Sequence, residues 1–125
     1  MSYDPQNVFA KILRSEIPAG RILEDEHSLA FEDIHPQAPV HSLVIPKGPY
    51  ESLLDFADEA SDAELASLVR MLAKLARAKA VDRTGFRVLA NVGADGHQEV
   101  QHLHFHLFGG RSLGPMIKRP GTGQS

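Results

Sequence analysis

At 125 residues with 42% hydrophobic content and no cysteine, the chain has room for one domain that builds an ordinary core without metal or disulfide staples. A formal net charge of -3, from 13 Lys+Arg against 16 Asp+Glu, excludes the polybasic field that drives binding to polymeric nucleic acid or anionic membranes. Lack of cysteine also excludes thiolate zinc sites and cysteine nucleophiles, whereas 7 histidines supply groups that titrate near neutrality and serve as nucleophiles or ligands.

The start Met1-Ser2-Tyr3-Asp4-Pro5 has neither a basic n-region nor an apolar h-region, and no apolar run approaches the roughly 20 residues that span a bilayer, so a soluble cytoplasmic protein is expected. Asn7 is placed to cap a short helix to about Ser15, with Val8, Phe9, Ile12 and Leu13 on one face and Pro18-Ala19-Gly20 beyond its end. Short apolar pieces then predict strands over Arg21 to Glu24, Leu29 to Glu32 and Ser42 to Pro46. Ser61-Asp62-Ala63-Glu64 matches a capping box, and Leu65, Leu68, Val69, Leu72, Leu75 and Ala76 recur at helical spacing until Thr84-Gly85. Phe86 to Val92 and His102 to Phe108 alternate like strands, joined by a loop from Gly93 to Glu99. The tail from Pro120 to Ser125 is expected to be mobile. Strands around one long helix, without βαβ alternation, predict an α+β domain on an antiparallel sheet.

The run His102-Leu103-His104-Phe105-His106-Leu107-Phe108 carries the chemistry. On a strand its three imidazoles share one face, while Leu103, Phe105 and Leu107 share the other and can be buried. Such a face is either an ordinary polar surface, a metal site, or a nucleophilic centre. Metal binding by all three is geometrically awkward: at roughly 3.3 Å per residue, His102 and His106 sit roughly 13 Å apart, too far to share an ion held at about 2 Å. Two of them with His41, His35 or His97 would still suffice. In the nucleophilic reading an imidazole nitrogen attacks phosphorus, which requires one nitrogen unprotonated toward the substrate and the other donating to a fixed acceptor. Central placement suits His104 to the attack, with a neighbouring histidine holding phosphate oxygens or protonating the departing group.

With these residues, and with the blocks Val8 to Pro18, Ala30 to Lys47 and Gly109 to Met116, the chain resembles the histidine-triad (HIT) superfamily. Within it the chain is most similar to the Hint branch of purine nucleoside phosphoramidases, in their bacterial form. The resemblance implies one HIT domain over residues 1–119, with about five antiparallel strands, one long helix and one short. It also implies a homodimer that needs no cofactor or metal and cleaves the phosphorus–nitrogen bond of purine nucleotide conjugates of AMP or GMP. Dinucleoside polyphosphate hydrolysis, nucleotidyl transfer and non-catalytic nucleotide binding are the alternatives. By position in the motif His104 matches the nucleophile, flanked by His102 and His106, and His41 matches a supporting histidine. Asp33 matches the carboxylate that binds the ribose hydroxyls. Val8, Phe9, Ile12, Ile17, Phe31, Ile34 and Leu43 match the slot for the base, and Asn91 and Gln98 match side chains around the phosphate and leaving group. The chain departs from the pattern at His97, where many members have Gly, at Glu99, where some carry Ser, and at Gln101, where an aromatic residue is common. Glu32 and His35 put unusual charge beside Asp33. These departures bear on the leaving group.

Overall fold

The computed structural model describes residues 3–117, so the tail from Pro120 onward lies outside the described residues. The elements run α1 (Val8–Leu13), β1 (Arg21–Glu24), β2 (Ser28–Glu32), β3 (Val40–Pro46), α2 (Leu53–Glu59), α3 (Asp62–Ala78), β4 (Phe86–Leu89) and β5 (Phe105–Gly109). The strands form one antiparallel sheet in the order β1-β2-β3-β5-β4. The expected α+β class and five-stranded antiparallel sheet are what the chain adopts. No helix among the described residues is long and apolar enough to cross a membrane.

Period-two alternation divides the sheet into two faces. Ala30, Val44 and Leu107 point to α3, where they meet Leu68, Met71 and Leu75 in the main core. Leu29, Phe31, Leu43 and Ile45 point the other way and pack on Phe9 and Ile12 of α1. Because α1 is only six residues long, it covers part of this second face, and it leaves room there for His41 and His106 of β3 and β5.

Three differences from the sequence reading have physical causes. A third helix, α2, follows the capping box of Ser52 and Asp55. It is seven residues long, too short to show a helical period, and its box closes with Asp in place of the commoner Glu or Gln. The long helix ends at Ala78, not near Thr84-Gly85. Ala80 adopts φ 59, and the Val81 and Ala80 amides donate to the carbonyls of Ala76 and Arg77 at 3.0 and 3.1 Å, a Schellman ending without its usual glycine.

The third concerns the two last strands. Sheet pairing of β5 begins at Phe105, because the preceding residues turn toward the end of β3 and the segment after it: the His102 ring donates to the Pro46 carbonyl at 2.8 Å and the Leu103 amide to that of Tyr50 at 2.8 Å. With no strand beside it beyond His106, β4 stops at Leu89 and does not continue to Val92. The expected faces survive this bend, since Leu103 and Leu107 enter the main core while His104 and His106 stay on the opposite side.

Candidate active site

Between α1, the end of β2 and the loop before β5 lies a cavity of about 300 Å³ whose wall includes His104 and His106. Val8, Phe9 and Ile12 of α1, with Ile17, Phe31 and Leu43, form its apolar side. Asp33, Ile34, His35, His97 and Glu99 stand at its edge, and Ile34 is 80% exposed. The structure thus brings together most of the residues singled out from the sequence. Val100, which nothing singled out, completes the apolar wall; an apolar residue closing a polar loop was its only signal.

Four of the expected residues do not line the cavity: His102 and His41, which are hydrogen-bonded to His104 and His106 of its wall, and Asn91 and Gln98. Asn91 lies just past β4 and does not line this cavity. Gln98 turns its side chain away: its amide nitrogen donates to the carbonyls of Glu51 and Val100 at 2.6 and 3.0 Å, and its oxygen accepts from the Gly93 amide at 3.3 Å. Gln98 therefore ties the loop to the segment before α2 instead of reaching a ligand. Gly96 in that loop is packed so closely that a Cβ would sit 2.5 Å from the Val92 carbonyl oxygen. A larger cavity of about 510 Å³ beside Gln98 is lined by Tyr3, Glu51, Asp55 and Gln101 and contains none of the triad.

Hydrogen-bond partners that can act only as donors or only as acceptors set the proton positions on all four histidines. The Pro46 carbonyl accepts from Nε2 of His102, so Nδ1 of that ring is the acceptor for the Tyr3 hydroxyl at 2.6 Å. The His102 carbonyl accepts from Nδ1 of His104 at 2.8 Å, which leaves Nε2 of His104 as a free lone pair. The Gln37 amide donates to Nδ1 of His41 at 3.0 Å, placing the His41 proton on Nε2. That Nε2–H donates to Nδ1 of His106 at 2.9 Å, and Asp33 Oδ2 lies 3.2 Å from the same nitrogen. His106 in turn holds its proton on Nε2.

Electrostatics agrees with these tautomers. Burial holds His102 down at about 4, against the upward pull of its bond to Pro46, and the neighbouring His104 lowers it further. Burial, then His104 and His41, hold His106 at about 4. His104 is lowered by burial despite the bond to the His102 carbonyl and the charges of Asp33 and Glu99. Asp33 beside His41 favours an imidazolium, but burial outweighs it, and the amide aimed at Nδ1 leaves no room for a second proton. At neutral pH the site is therefore a set of neutral, oriented imidazoles. His104 is further held by the ring of Phe9, edge-on with centroids 4.9 Å apart.

Donor atoms of Asp33, His41 and His106 all lie within 4.8 Å of one another, a grouping that could hold a cation. It differs from the metal set considered from the sequence, in which His35, His97 or His41 joined two triad members. Nε2 of His41 and Nδ1 of His106 are joined by a hydrogen bond, which an ion taking those two nitrogens would have to break.

Comparison with known proteins places this geometry. A family model described as HIT domain matches residues 14–113. The chain is 55% identical over 118 residues to an "Uncharacterized 13.2 kDa HIT-like protein" of Azospirillum brasilense, covering 94% of this chain and 97% of that one. It is 40% identical over 116 residues to the purine nucleoside phosphoramidase of Escherichia coli strain K12, covering 93% and 97%. Among solved structures, a histidine triad protein from Clostridium difficile matches with a TM-score of 0.80 at 41% identity, over 94% of this chain and 100% of the other.

Proposed function

The chain belongs to the HIT domain family, and from that premise we propose that it is a purine nucleoside phosphoramidase, hydrolysing the P–N bond of AMP or GMP conjugates without metal or cofactor. The observation that carries this reading is the 2.8 Å bond from Nδ1 of His104 to the His102 carbonyl, which leaves Nε2 unprotonated at the wall of an apolar cavity, as an attack on phosphorus requires. The base enters between Phe9, Ile12, Ile17, Phe31, Ile34 and Leu43, and Asp33 accepts the ribose hydroxyls. That arrangement sets the α-phosphorus before His104.

Nε2 of His104 then attacks phosphorus, the P–N bond breaks, and the amine departs with a proton from solvent at the mouth beside His97 and Glu99. The Nε2–H of His106 donates to a phosphoryl oxygen and stabilises its charge in the transition state. Water next attacks phosphorus and breaks the P–Nε2 bond, releasing the nucleoside monophosphate and a proton and restoring the free imidazole. A homodimer completes the proposal. Its support is β4, an edge strand whose Phe86 and Val88 are 42% and 37% exposed, a surface that a second copy would cover.

Trapping tests the reading directly. Incubation with an adenosine phosphoramidate and rapid quenching should yield a nucleotidyl adduct by intact mass, mapped to His104. No adduct, together with undiminished turnover in His104→Ala, would overturn it.

A further inference from the structure

His104 is oriented by a carbonyl, and that carbonyl belongs to His102, which touches neither the cavity wall nor solvent. What holds His102 therefore holds the nucleophile. One anchor is the bond to the Pro46 carbonyl in β3. The other comes from the opposite end of the chain, where the Tyr3 hydroxyl donates to Nδ1 of His102 at 2.6 Å across a separation of 99 residues. The Tyr3 ring stands edge-on to the imidazole, with centroids 5.6 Å apart. Tyr3 also lines the larger cavity beside Gln98, whereas His102 has no exposed surface.

Both nitrogens of His102 are thus occupied, one as donor and one as acceptor, so the ring has no spare position for proton transfer. Its place between Tyr3 and Pro46 suits it to bracing. We infer that Tyr3 is a positioning residue for His104, acting through the His102 ring and its carbonyl. The chain from hydroxyl to nucleophile contains two hydrogen bonds and one residue's backbone, and each link is short and directional. Without the hydroxyl, Nδ1 of His102 becomes a buried acceptor with no donor, and the ring gains by turning or shifting to find one. The carbonyl moves with it, and Nδ1 of His104 loses the partner that selects its tautomer.

This inference rests on His104 as the nucleophile, so its test has an arm that does not depend on turnover. Nitrogen-15 NMR of the imidazoles should show His104 of the wild type as a single tautomer protonated on Nδ1. In Tyr3→Phe, which keeps the ring and its edge contact, His104 should populate both tautomers. Phosphoramidate kcat should fall about tenfold, as expected for one directional hydrogen bond lost, while KM changes little. Ser61→Ala, which removes the α3 cap bond to the Glu64 amide and has neither Tyr3 nor His102 as a partner, provides the contrast: it should lower Tm and leave the His104 tautomer single. A Tyr3→Phe protein with an unchanged His104 spectrum and unchanged kcat overturns the inference. If the wild type hydrolyses no phosphoramidate, the functional proposal fails instead, and the spectra still decide the role of Tyr3.

Discussion

Nε2 of His41 lies 2.9 Å from Nδ1 of His106, and the direction of that hydrogen bond follows from a backbone amide on the far side of His41. The Gln37 N–H can only donate, so His41 must accept at Nδ1 and donate at Nε2. A peptide group outside the cavity thereby decides which nitrogen of His106 carries the proton that the proposed mechanism uses. His41 itself is packed on Phe108, with ring centroids 4.2 Å apart, and this fixes its plane.

Replacing His41 by Phe should separate the hydrogen bond from the packing. The ring still fills the space against Phe108, but Nδ1 of His106 loses its donor and the proton is no longer confined to Nε2. The lost bond to a buried group corresponds to about 1–3 kcal/mol, or roughly 10- to 100-fold in kcat. Steady-state kinetics on an adenosine phosphoramidate should show this fall with KM changed far less, because the apolar wall proposed to take the base is formed by other residues. Equal losses in binding and turnover would count against the role given to His41.

Stability should fall as the pH is lowered from 7 to 5. The His102 ring protonates near 6.5 when unfolded but only at about 4 when folded, so between these values the unfolded state binds more protons than the folded one. The contribution is fully present above the unfolded value and is lost progressively as pH falls toward the folded one. The full loss, complete only below the folded value, is on the order of 3 kcal/mol, of which about 2 kcal/mol falls between pH 7 and pH 5. Urea titrations at pH 7 and pH 5 would measure it. The carboxylates held low by their partners, such as Glu32 with Lys79 and Ser42, lose their stabilising effect only at more acidic pH, which leaves this window to the histidines. A stability that is flat across it would contradict the buried neutral ring.

The histidine face was legible because its signal is local. Alternate histidines on an apolar strand must share a side, and the long helix declared itself through spacing and a capping box. What escaped depends on contacts between distant parts of the chain or on single backbone angles. Tyr3 reaches His102 over a separation no periodicity encodes. Gln98 lies in a loop, where side-chain direction is set by whichever carbonyl is near, here those of Glu51 and Val100. The start of β5 is delayed because the Leu103 amide finds its partner in Tyr50, outside the sheet, while the His102 ring bonds the last carbonyl of β3.

Activity should survive exhaustive chelation. Among the described residues, Asp33, His41 and His106 are the group with cation-binding spacing, but two of their nitrogens are already joined by a hydrogen bond. Dialysis against a strong chelator should leave phosphoramidase kcat unchanged. Added zinc should inhibit, because an ion seated there would displace the His41 proton and pull His106 from its donor position. Loss of activity on chelation with recovery on adding back zinc would reverse this reading.

Ala80→Gly should stabilise the fold. Ala80 holds φ 59 at the residue after the α3 cap, where an L side chain is strained and glycine is the usual occupant. The motif around it is otherwise complete: both amide bonds to the last turn are made, and Val81 beyond it is 3% exposed within the main core. Relief of the left-handed strain is about 1 kcal/mol, offset in part by the greater freedom of glycine in the unfolded chain. In a domain of this size a net gain approaching that value raises Tm by roughly 3 °C. Ala80 is exposed and lies outside the cavity, so phosphoramidate kinetics should not change. A lower Tm for Ala80→Gly would mean that Ala80 is not held in the left-handed conformation, and the explanation given for the early end of α3 would fall with it.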